Sequence, residues 1–93
     1  MNLTEFLLAR IEEEREGIES SGVWDDEWQR RALAECEAKR RIIVRSATVL
    51  AEAQELKLKH PRQWTGEGPA RVLLQDLALP YAGHPDYQPE WRP

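Results

Sequence analysis

The 93-residue chain is short enough for one domain, and 17 aspartates and glutamates against 13 lysines and arginines leave it at −4 near neutral pH. Net acidity weighs against non-specific attraction to nucleic acid, and 41% hydrophobic with 32% charged residues excludes a wholly disordered chain. One cysteine, two histidines and no long apolar run rule out an intramolecular disulfide and give a zinc site no paired ligands, so a cytoplasmic chain with no membrane span, no metal and no cofactor is expected.

The charge is segregated. Residues 1–28 hold nine acids and two bases, whereas residues 29–45 hold six bases, Arg30, Arg31, Lys39, Arg40, Arg41 and Arg45, and two acids. The first predicted helix covers residues 2–18, with Asn2 as its cap and Glu5 at the capping-box spacing. Leu3, Phe6, Leu7, Ile11 and Ile18 form a narrow apolar stripe, and the run Glu12 to Glu16 lies opposite as a solvated face that also attracts the basic part of the next helix. Ser20-Ser21-Gly22 ends this helix. Trp24 and Trp28 then flank a cap at Asp25 or Asp26, where a hydrophobic staple is expected, with an exposed stacking pair as the alternative.

Residues 26–59 contain no Gly or Pro and are dominated by good helix formers, which predicts one helix about 50 Å long. Ile42, Ile43, Ala47, Val49, Leu50, Ala53, Leu56 and Leu58 spread over more than half of its circumference, while Arg41, Arg45, Thr48, Glu52, Glu55 and Lys59 gather on a solvent side. So wide an apolar arc asks for a neighbour on each flank. Cys36 reads as a small buried hydrophobe. The basic residues point in several directions, and their blander role is to pair with the acidic first helix; a phosphate-binding face is the sharper one.

Pro61 ends the long helix, with His60 as its cap. Trp64 is expected to lid the end of the bundle. Pro69 opens a third helix over residues 69–79, through Val72, Leu73, Leu74 and Leu77, until Pro80 stops it. Residues 80–93 then combine four prolines with Tyr81, His84, Tyr87 and Trp91. Turns are expected there, with a short helical turn after His84-Pro85 and the aromatics folded back on the helices; a protruding peptide for a partner's groove is the alternative. His84 and Asp86 lack the nucleophile or metal that an acid–base pair would serve.

Three stretches, Phe6-Leu7-Leu8-Ala9-Arg10, Glu37 through Ile43, and Leu77-Ala78-Leu79-Pro80-Tyr81-Ala82-Gly83-His84-Pro85-Asp86-Tyr87 continuing to Glu90-Trp91-Arg92-Pro93, together resemble short actinobacterial proteins of domain-of-unknown-function family 6221. The resemblance implies an actinobacterial or phage setting and brings no activity or mapped site. Similar proteins often carry a longer, variable middle, sometimes with Cys and His residues suggestive of metal; this chain lacks that insertion, so no metal role carries over.

The sequence thus predicts an all-α, three-helix domain around one long central helix, with a proline- and aromatic-rich C-terminal segment packed over it. No catalytic residue stands out. The expected function is binding a protein partner or itself, as a homodimer, through the long helix and the aromatic residues Tyr81, His84, Tyr87 and Trp91. An accessory nucleic-acid binder using Arg30, Arg31, Lys39, Arg40, Arg41 and Arg45 is the alternative.

Overall fold

Two side-chain caps decide where the longer helices begin. In the computed structural model, which describes residues 1–23, 25–64, 66 and 68–93, Asn2 Oδ1 accepts the Glu5 amide at 2.8 Å and Asp25 Oδ1 accepts the Trp28 amide at 2.8 Å. Each satisfies one of the backbone donors a first turn leaves open. Helix α1 runs Leu3–Ser20, two residues beyond its predicted end. Helix α2 runs Asp26–Lys59 without a break, as its composition predicts, and closes on a backbone bond from His60 to Leu56.

Helix α3 covers Pro69–Ala78. Gly68, at φ +65°, supplies the left-handed turn before Pro69, a conformation that costs a side-chain-bearing residue about 1 kcal/mol or more. A 3-10 turn at Leu79–Tyr81 takes over from α3 at Pro80, and a second one forms at Pro89–Trp91. Between them the Tyr87 amide bonds the His84 carbonyl at 3.0 Å, the turn expected after His84-Pro85.

The three helices pack on one another around Phe6, Leu7, Ile43 and Leu74, each at most 1% exposed. Helix α1 lies antiparallel to α2: Ile18 receives the Gln29 side chain on its carbonyl at 3.2 Å, while Asn2 and Leu3 lie at the level of Leu50 and Gln54. Helix α3 returns antiparallel along the same side of α2, from Leu74 beside Leu50 to Pro80 beside Lys39. Because α1 and α3 also touch each other, they cover adjoining sectors of α2 and not opposite flanks. Only part of the predicted apolar arc is therefore buried. Cys36, Ile43 and Ser46 are inside, Ala47, Leu50 and Ala53 are half-buried, and Ile42, Val49, Leu56 and Leu58 stay exposed. The predicted solvent residues Arg41, Arg45, Thr48, Glu52, Glu55 and Lys59 are exposed. Among the described residues no helix is long and apolar enough to cross a membrane.

Candidate interaction surface

The aromatic C-terminal segment is organised by one residue of α1. Phe6 is fully buried, and the rings of Trp91, His84, Tyr87 and Tyr81 surround it with centroids at 5.0, 5.5, 6.1 and 6.3 Å. Three of these contacts are edge-to-face, the arrangement in which a positive ring edge meets a negative face. Tyr87 and Trp91 are buried, and the Gln75 amide reaches the Arg92 carbonyl at 3.5 Å. The segment is folded back on the helices, which leaves the half-buried Tyr81 and His84 as its accessible aromatic edge.

Arg10 completes this corner, and sequence reasoning passed over it. Its guanidinium carbon sits 5.0 Å from the Phe6 ring centre, Nη2 donates to Glu13 at 2.8 Å, and Nη1 lies 3.0 Å from His84 Nδ1 and 2.5 Å from Nε2. A guanidinium can only donate, so the imidazole meets it as an acceptor. The available signal was position. Arg10 falls in the register Leu3, Phe6, Leu7, Arg10, Ile11, on the buried face of α1. One turn on, Glu14 accepts the Tyr81 hydroxyl; burial first and this bond second hold the Tyr81 proton well above its ordinary range.

The basic residues of α2 are not gathered into one surface. Arg40 and Arg41 both bond Glu37 of their own helix at 2.9–3.0 Å, and the bond from Arg40 first, then that from Arg41, pulls the Glu37 carboxyl down to about 2. Lys39 turns to Glu14 of α1 at 3.7 Å, and Arg31 lies over the Trp28 ring at 5.2 Å. Arg30 and Arg45 are exposed. The expected acid-to-base pairing between α1 and α2 is thus carried by Lys39 and Glu14, because i,i+3 and i,i+4 partners were closer for the arginines: Arg15 of α1 likewise bonds Glu12 and Glu19.

Trp24 of the expected staple lies outside the described residues, and Trp28 is 54% exposed. Trp64 folds back on the end of α2, with the Lys57 ammonium 4.7 Å from its ring centre. Cys36 is buried, and that burial raises its thiol pKa, so its chemistry is muted. Among the described residues no three His, Cys, Asp or Glu side chains are grouped to hold a metal ion.

What the fold leaves uncovered is an apolar line on α2. Ile42, Val49 and Leu56 are 43%, 50% and 39% exposed, and their seven-residue spacing places them on one side of the helix, a drift of about 20° per step. The exposed Arg45 and Glu52 border this line, and neither makes an ion pair with another described residue. Val72 and Leu73 of α3, and Leu79 just beyond its end, are exposed as well.

The family model described as "Family of unknown function (DUF6221)" matches residues 1–93, and the chain therefore belongs to that family. No curated protein and no solved structure matches the chain.

Proposed function

We propose that this member of the family is a small non-enzymatic helical interaction protein, working in the cytoplasm of the actinobacterial or phage setting that its sequence resemblance implies. It binds protein through the exposed side of α2. The observation that carries this reading is the line Ile42, Val49, Leu56, an apolar repeat on a helix whose core contacts lie elsewhere. A seven-residue apolar repeat is the spacing by which one helix presents a continuous side to another. The aromatic segment serves as scaffold: it clamps α1 through Phe6 and so fixes which side of α2 is covered.

The nucleic-acid alternative has weaker support, since two of its arginines share one carboxylate and its lysine serves α1. Two measurements separate the readings. Affinity capture from source cells with wild type and Val49→Glu tests the protein-binding face, which predicts co-purifying protein that the substitution removes. Binding to a short DNA duplex at low salt tests the alternative. Identical captured proteins with both baits, together with salt-sensitive DNA binding lost in Arg40→Glu/Arg41→Glu, would replace the first reading by the second.

A further inference from the structure

We propose that the occupant of this face is a second copy of the chain, docked antiparallel across a twofold axis beside Val49; the proposal rests on the reading of the α2 line as a protein-binding surface. The line is symmetric about its own centre. Ile42 lies seven residues before Val49 and Leu56 seven after it, so an antiparallel second helix sets Ile42 against Leu56 of the other copy and Val49 against Val49. An isologous contact requires such self-complementarity, in which residue i meets j and j meets i.

The charges at the border obey the same axis. Arg45 lies four residues before Val49 and Glu52 three after, a mismatch of one residue, or about 1.5 Å along the helix. Each copy therefore brings Arg45 to Glu52 of the other, once on either side of the axis. Neither side chain has an ion pair of its own to give up among the described residues. A parallel pairing would set Arg45 on Arg45 and Glu52 on Glu52, which like-charge repulsion disfavours. The bordering charges thus select the antiparallel orientation as well as the copy.

The surface of the single chain is consistent with one covered face. A folded monomer of 10.8 kDa is expected to expose about 5,500 Å². This chain exposes 6662 Å², an excess of roughly 1,100 Å². A standard interface removes about 800 Å² from each partner.

Light scattering behind size exclusion should give the wild type a mass near twice the 10.8 kDa of one chain. Arg45→Glu alone and Glu52→Arg alone should each weaken the dimer about tenfold or more, and the double reversal Arg45→Glu/Glu52→Arg should restore it. Helix content by circular dichroism verifies that each variant folds. As a readout that does not depend on tolerance of charge, Val49→Cys should oxidise to a covalent dimer, whereas Val44→Cys, exposed on another side of α2, should not. A wild type that scatters as one chain at every concentration, a double reversal no better than the single ones, or equal cross-linking at both cysteines overturns the proposal. The protein-binding reading is judged separately: it survives a monomeric result if Val49→Glu still removes a captured partner, and falls if it does not.

Discussion

Tyr81 and Tyr87 both pack edge-on against Phe6, with ring centroids at 6.3 and 6.1 Å, but their hydroxyls meet different surroundings. The Tyr81 hydroxyl donates to Glu14, while the Tyr87 hydroxyl is buried with no hydrogen-bond partner among the described residues. Removing a made bond costs stability, and removing an unmade one recovers the desolvation penalty. Tyr81→Phe should therefore lower the unfolding free energy by about 1 kcal/mol, and Tyr87→Phe should raise it by a similar amount. Urea titrations of the two variants decide this, and equal signs would contradict it. The raised Tyr81 pKa adds a pH dependence whose sign is fixed. Below the ordinary tyrosine value of 10.0 the contribution is intact, and above it the unfolded chain releases a proton that folded Tyr81 retains, so stability falls with rising pH. Tyr81→Phe should flatten that alkaline fall.

At the scale of elements, the C-terminal segment acts as a fourth layer on α1. Trp91 has its ring 5.0 Å from Phe6 and 5.7 Å from Tyr87, and it is 6% exposed. Trp91→Ala should cost about 3–4 kcal/mol, a large share of the roughly 5–14 kcal/mol a chain of this length holds. Chemical denaturation followed by far-ultraviolet circular dichroism measures it; a loss below about 1 kcal/mol would mean the segment is not part of the core. The extents of these elements were legible in the sequence because caps and breakers act locally: Asn2 and Asp25 start helices, and Pro61, Pro69 and Pro80 bound them. How the elements share a surface was not. Periodicity marks Ile42, Val49 and Leu56 as apolar, but it does not say that α1 and α3 would both settle on the Ile43 side and leave them bare. Arg10 was hidden for a related reason: its charge suggested solvent, while its register on α1 beside Phe6 and Glu13, and the folding of His84 over it from the C-terminal segment, decided its burial.

The whole molecule is long for its mass, with extents of 55 × 25 × 17 Å and a radius of gyration of 15.9 Å. A rounded domain of this length would have a radius near 12 Å. The difference follows from α2, which spans the long dimension while α1 and α3 reach only parts of it. A shape like this has little core per residue, so whatever covers the open side of α2 becomes part of its stability. If that cover is a second copy, folding and association are linked, and stability depends on protein concentration. The melting temperature of the wild type should then rise by about 3–5 °C for each tenfold increase in concentration. Val49→Glu, which puts a charge at the proposed axis, should melt lower and at one temperature across the same range. A wild-type melting temperature that does not move with concentration would show that the single chain carries all of its own stability, and would count against a second copy on the apolar line of α2.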